Sequence, residues 1–310
     1  MIPQLFFYVF AFLLIWFAAG IIITSVDRFA HKLNLSSFAI SFFLLGFLTS
    51  IPEISVGVSS LVDKKPEIFV GNLIGGIVVI FLLVIPALAL FGGGIKLTHQ
   101  LDRDKLLFAL VVILAPSVLS LDGKISLSEG IFSVFHYGFL VYVIEKRKGL
   151  MERIKDKLIA NYDHAINDLI KIIASVVTIF IASKFIVDKT IYFSSLFGIS
   201  TFVISLIVIS IGTNLPELSL VVRSLILKKK EIAFGDYLGS AAANTLIFGS
   251  LVLLNRGEVI LPNHFFKSFI FIVGGMTLFY IFSRSKNDIS RQEGLTLILV
   301  YAMFLVFEII

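Results

Sequence analysis

The chain has 310 residues, 58% of them hydrophobic and only 15% charged, with a mean hydropathy of +1.01. A soluble domain carries about 25% charged residues, so a soluble globule is excluded and a polytopic membrane protein is indicated. The formal charge of +5 makes no case for nucleic acid, because the basic residues sit in loops, and the absence of cysteine excludes disulfides and thiolate metal sites.

A bilayer crossing needs about 20 apolar residues. On that basis the chain is expected to cross ten times, near 4–26, 35–61, 66–94, 105–121, 128–144, 166–187, 196–227, 231–254, 261–283 and 291–309. The first apolar run, Leu5 to Val26, has no basic residues before it and is long enough to span, so it reads as a membrane helix and not a cleaved signal. The long hydrophilic stretch from Glu145 to His164 reads as a solvated loop. It divides the chain into 1–144, a loop at 145–165, and 166–310. Lys and Arg on alternate sides number 18 against 7. The richer side, which includes the central loop, is expected to be cytoplasmic, with both termini outside the cell membrane.

The second and seventh spans carry the chemistry. Leu48-Thr49-Ser50-Ile51-Pro52-Glu53 and Gly212-Thr213-Asn214-Leu215-Pro216-Glu217 each put a proline and a glutamate inside an apolar segment. A carboxylate at membrane depth costs several kcal/mol and normally marks an ion path. Proline inside a helix frees the carbonyl four residues back, here that of Leu48 or Gly212. Hard cations take oxygen ligands, so two carboxylates with loosened carbonyls predict a cation cage near the bilayer midplane.

The halves repeat. Leu35-Ser36-Ser37-Phe38-Ala39-Ile40 matches Ile199-Ser200-Thr201-Phe202-Val203-Ile204, the Pro-Glu pairs match, and Gly71-Asn72-Leu73-Ile74-Gly75-Gly76 matches Gly235-Asp236-Tyr237-Leu238-Gly239-Ser240, all at a constant offset of 164 residues. Five spans per repeat is an odd number, so the second half enters from the opposite face. The expected fold is all-α: ten transmembrane helices as two inverted five-helix repeats with broken motif helices. The glycines read as packing residues. Asn72, Asp236, Ser240 and Asn244 bring polar groups into apolar spans, and Ser240 and Asn244, four apart, share a helix face. Asp236 reads equally as an interfacial cap or as part of the ion path.

These paired motifs resemble the two alpha repeats of the calcium:cation antiporter superfamily, and the whole chain is most similar to its sodium/calcium exchangers of prokaryotic type. The resemblance implies that Glu53 and Glu217 bind Ca2+ with the carbonyls of Thr49 and Thr213. It further implies Na+ or counter-ion sites on the same glutamates with nearby oxygens, for which Ser50, Ser210, Asn214, Ser240 and Asn244 are candidates. Access would alternate by sliding the first and sixth spans past the core. The chain departs from the family pattern at Ile80, opposite Asn244, at Gly76, opposite Ser240, and at Leu48, opposite Gly212. The expected activity is Ca2+/Na+ antiport across the cell membrane, with Ca2+/H+ or other cation exchange as the alternative and a passive channel or non-transporting homologue behind it. No cofactor and no protein partner is expected, only the lipid bilayer and inorganic cations. No Ser/His/Asp constellation suggests an enzyme, and the five histidines are scattered.

Overall fold

The computed structural model describes residues 2–31, 42, 46–96, 103–145, 165–227, 230–261, 265–285 and 288–309. The repeat block at 35–40, the loop at 146–164 and His99, His164 and His264 lie outside the described residues. Seven helical stretches among the described residues are long and apolar enough to cross a membrane. The helices at 46–62, 103–119 and 291–309 stand at the remaining three expected places.

In the first half the elements are α1 (Ile2–His31), α2 (Gly46–Thr49), α3 (Ile51–Val62), α4 (Glu67–Val79), α5 (Ile85–Gly92), β1 (Ile95–Lys96), α6 (Arg103–Leu119), β2 (Lys124–Ile125) and α7 (Leu127–Glu145). In the second they are α8 (Ala165–Phe197), α9 (Thr201–Ile204), α10 (Ser210–Thr213), α11 (Leu215–Leu227), α12 (Lys230–Asn255), β3 (Val259–Ile260), α13 (Phe265–Ser285), β4 (Asp288–Ile289) and α14 (Arg291–Ile309). Wide π-type turns at Ile80–Val84 and Ser205–Ile209 join α4 to α5 and α9 to α10. The first follows from Pro86, which lacks an N–H to continue the α ladder; the Ile85 N–H reaches back five residues to the Ile80 carbonyl.

Inversion is visible in the rims. β1 pairs antiparallel with β4, Ile95 opposite Ile289, and β2 pairs with β3, Ile125 opposite Val259. Each strand's mate at the repeat offset is therefore in the other pairing: β1 corresponds to β3, and β2 to β4. β1 and β2 lie at opposite ends of α6, so equivalent segments of the two halves lie at opposite ends of the helix bundle. Both halves also carry the same capping box. Ser126 and Ser290 each receive their Glu three residues on, the Ser126 N–H donating to Glu129 Oε2 at 2.7 Å and the Ser290 N–H to Glu293 Oε2 at 2.8 Å.

The core is built around the third and eighth spans. Of the most apolar 18 residues within 67–92, 89% are buried, and of those within 233–255, 78%, against 22% for the span of α7, whose Phe135 and Phe139 face outward. Glycine makes that centre possible. A Cβ on Gly75 would stand 2.1 Å from the Leu206 carbonyl oxygen, and one on Gly239 would stand 2.0 Å from that of Phe42. These two contacts are again equivalent at the repeat offset, so each half inserts its Gly-rich helix against the motif segment of the other. The expectation that Gly71, Gly75 and Gly239 serve packing is met; Gly235 is buried.

α1 and α8 stand apart. They share a separate hydrophobic cluster in which Tyr8, Phe12 and Ile15 meet Ile179, Ile186 and Phe193, and Tyr8 Oη bonds Thr190 Oγ1 at 2.8 Å. α8 runs to Phe197, ten residues past the expected end. Lys184, Asp188 and Lys189 interrupt the apolar run without ending the helix, because Lys184 Nζ bonds Asp188 Oδ1 at 2.6 Å and Asp63 Oδ1 at 2.5 Å. Gly198, at φ +67°, ends it. A 33-residue helix is about 50 Å long, more than the roughly 30 Å hydrocarbon core.

Candidate ion-binding site

The motif prolines are not in helix interiors, as the sequence suggested. The chain leaves helical dihedrals two residues before each proline, at Ser50 (φ −82°, ψ 5°) and Asn214 (φ −89°, ψ 13°). α3 and α11 then start afresh, with Pro52 and Pro216 in the first turn, where a missing N–H costs nothing. This puts Glu53 and Glu217 in the first turns of their helices, where the helix dipole favours negative charge. The break itself thus positions each carboxylate.

All the candidate residues are at most 1% exposed: Thr49, Ser50, Glu53, Asn72, Ser210, Thr213, Asn214, Glu217, Asp236, Ser240 and Asn244. Most are brought together by contacts that cross between the halves. Thr213 Oγ1 donates to Asn72 Oδ1 at 3.1 Å, and Thr49 Oγ1 donates to Asp236 Oδ1 at 3.4 Å. These two bonds are the same bond in the two repeats. Thr213 also lies beside the Glu53 carboxylate and Thr49 beside that of Glu217, and the two glutamates are close enough to repel each other. Ser240 Oγ donates to Glu217 Oε1 at 3.0 Å and meets Ser50 Oγ at 3.2 Å. Asn214 Nδ2 approaches Glu53 Oε1 at 3.5 Å.

Two candidates are placed less directly. The Ser210 hydroxyl is committed to its own helix, donating to the Leu206 carbonyl at 2.6 Å, and it packs on Gly75. Asn244 has no partner for either amide atom within the protein. Its Nδ2 and that of Asn214 flank Gly76, 3.1 and 3.2 Å from where a Cβ would stand. Gly76 therefore leaves a notch between two amides, and Ile80, opposite Asn244, is buried in the main apolar cluster.

Several buried oxygens have no partner within the protein: Glu53 Oε2, Glu217 Oε2, Asp236 Oδ2, Asn214 Oδ1 and Asn244 Oδ1. Buried polar atoms are nearly always bonded, so unpartnered acceptors in one region fit a cation. Among the described residues no three His, Cys, Asp or Glu side chains gather into one metal-binding group. An ion held here would draw on carboxylates together with amide, hydroxyl and backbone oxygens, the ligand set of hard cations.

Two contacts at the site are not foreshadowed by the motifs. Tyr237, wholly buried, donates its hydroxyl to the Glu217 backbone carbonyl at 3.2 Å. Phe12 of α1 lies on Gly212, with ring carbons 2.0 to 2.8 Å from a notional Cβ. Reading Gly212 against its mate Leu48 as a difference in side-chain bulk was the signal that could have found the second.

The sodium/calcium exchanger protein family matches residues 4–144 and 168–310. The chain belongs to that family. The chain is 25% identical over 323 residues, 92% of each chain, to a protein named sodium/calcium exchanger MaX1 from Methanosarcina acetivorans. It is 24% identical to the inner membrane protein YrbG of Escherichia coli, over 77% of this chain and 78% of that one. Its fold matches the solved structure of the sodium-calcium exchanger NCX_Mj, soaked with Na+ and Sr2+, with a TM-score of 0.70, 21% identity and 98% of both chains covered. The exchanger family's fold is an antiporter fold, and the protein is a multi-pass membrane transporter, not an enzyme.

Proposed function

We propose that this exchanger moves Ca2+ out of the cytoplasm in return for Na+, with both ions competing for one site between Glu53 and Glu217. The observation that carries this reading is the pair of buried glutamates, each with one carboxylate oxygen unpartnered in the protein and each at a helix break. Two adjacent buried negative charges are strongly unfavourable unless compensated. One divalent cation neutralises both, and monovalent cations can replace it. The Thr49 and Thr213 carbonyls sit beside the breaks and would complete a calcium shell. Ser50, Asn214, Ser240 and Asn244 offer neutral oxygens suited to sodium; Ser210, bonded within its helix, would contribute least. The names of MaX1 and NCX_Mj point the same way.

Competition alone does not couple two fluxes; the site must also open to one face at a time. α1 and α8 supply a body that can do this. They pack mainly on each other and meet the other helices through an apolar cluster and the Lys184–Asp63 pair, so sliding breaks few polar bonds. Residues 1–144 and 166–310 form the two repeats, joined by a cytoplasmic loop at 145–165, with both termini outside the cell membrane.

The test is radioactive calcium uptake into sealed liposomes holding the purified protein, with outward gradients of sodium, potassium or protons imposed in turn. Uptake driven by sodium alone is expected. Uptake that needs only protons would replace sodium as the counter-ion, and uptake indifferent to any gradient would make the protein a passive pathway.

A further inference from the structure

We infer that Asp236, together with Glu217, holds a monovalent cation of its own beside the calcium position, so that the second repeat carries an ion site the first repeat lacks. This rests on the antiporter reading above and adds to it.

Asn72 and Asp236 occupy the same repeat position and accept the same bond, from Thr213 and Thr49 respectively. What is left over differs. On the first side the unpartnered atom is Asn72 Nδ2, an amide donor; on the second it is Asp236 Oδ2, a carboxyl oxygen. Asp236 also stands close enough to Glu217 for mutual repulsion, and Glu217 Oε2 is unpartnered too. The Thr49 hydroxyl lies at both carboxylates, and a single hydroxyl proton cannot compensate two of them.

Among the described residues the buried side chains of charged type are Glu53, Glu217 and Asp236, with no buried Lys or Arg. A divalent cation offsets two of the three. The three carboxylates do not converge on one point among the described residues, so Asp236 is not simply a third ligand to the same calcium. When all three are ionised, one further positive charge is needed beside Glu217. The hydroxyl and carboxylate oxygens of Thr49, Ser240, Glu217 and Asp236 suit a hard monovalent ion such as sodium.

The experiment compares the native full-length protein with Asp236→Asn, which keeps the oxygen that Thr49 bonds and makes this position match Asn72. Sodium chloride alone is titrated calorimetrically into the detergent-purified proteins, calcium chloride is titrated separately, and sodium-driven calcium flux is measured in liposomes. The variant should bind sodium about tenfold more weakly, lose more sodium affinity than calcium affinity, and show a sodium Hill slope lower by about one. Equal loss for both ions would make Asp236 a calcium ligand and overturn the inference, as would unchanged sodium binding and slope. The sodium titration reads the site directly, so the inference stands or falls even if the native protein shows no sodium-driven flux and the antiport reading fails. Should Asp236→Asn not fold, Asn72→Asp tests the same rule from the other side: it should raise the slope by about one, and an unchanged slope overturns it.

Discussion

At the residue scale, the proposed exchange rests on the charge of two buried carboxylates, Glu53 and Glu217. Glu53→Gln and Glu217→Gln keep side-chain volume and remove the charge. Each is expected to reduce calcium exchange in liposomes to background. Thermal unfolding in detergent should be unchanged or shifted upward, because each replacement relieves repulsion between buried like charges. Near-native flux in either variant would refute the shared site. Asn244, with both amide atoms unpartnered, faces the notch at Gly76. Asn244→Ala should therefore weaken sodium dependence more than calcium binding, read as the half-saturating sodium concentration against calcium affinity measured without sodium. Much of this site is legible in the chain itself, because a Pro-Glu pair in an apolar span is rare and appears twice at one offset. Less legible is what each residue bonds. Ser210 matches a ligand position by sequence, yet its hydroxyl is taken by the carbonyl one turn back, a local competition that spacing cannot reveal. The Thr213–Asn72 and Thr49–Asp236 bonds join residues 141 and 187 apart. They were recoverable only by applying the repeat offset to all four residues at once.

At the scale of elements, glycine sets how closely the two halves approach. Gly75→Ala or Gly239→Ala would drive a methyl group into a backbone carbonyl of the opposite half. Each should cost about 1–3 kcal/mol through overpacking, seen as a lower unfolding temperature. Gly138→Ala and Gly274→Ala, with nothing within 4 Å of the added carbon, should be neutral or stabilising by up to about 1 kcal/mol in a helix interior. Lys184 makes a contrasting case. Its bond to Asp63 ties α8 to the end of α3, and among the described residues it is the one ion pair that joins the α1–α8 layer to the other helices. The pair is partly exposed, so Lys184→Met should change stability by less than about 1 kcal/mol. Sliding of α8 would have to break it, so the same variant should raise the exchange rate; an unchanged rate would place α8 among the static helices. The full length of α8 is not legible in a count of apolar residues, because Asp188 and Lys189 interrupt the apolar run without ending the helix. The wide turn at Ile80–Val84 escaped because Pro86 has no mate in the second half, where Ser250 stands.

At the scale of the whole molecule, ten crossings in two inverted halves followed from counting apolar residues and noting that five is odd. Orientation is a separate matter, resting on the imbalance of basic residues. Lys124 and Asp104 are exposed at opposite ends of α6, and the native chain has no cysteine to interfere. In intact cells Lys124→Cys should react with a membrane-impermeant thiol reagent and Asp104→Cys should not. The reverse pattern would invert the topology and, with it, the direction of calcium movement.

The short strands at the rims bear on how the protein can be assembled. Each pairs one half with the other, never a half with itself, and the Gly-rich helices likewise find their grooves across the divide. Neither half is a finished object, whereas together they close like two clasped hands. Residues 1–145 and 165–310, produced as separate polypeptides in one membrane, should therefore find each other, co-purify through a tag on only one of them, and recover calcium exchange, while either alone should be degraded. A molecule joined this way behaves as a heterodimer whose linker is a convenience, and an ancestor of half the length would have had to insert in both orientations to exist at all.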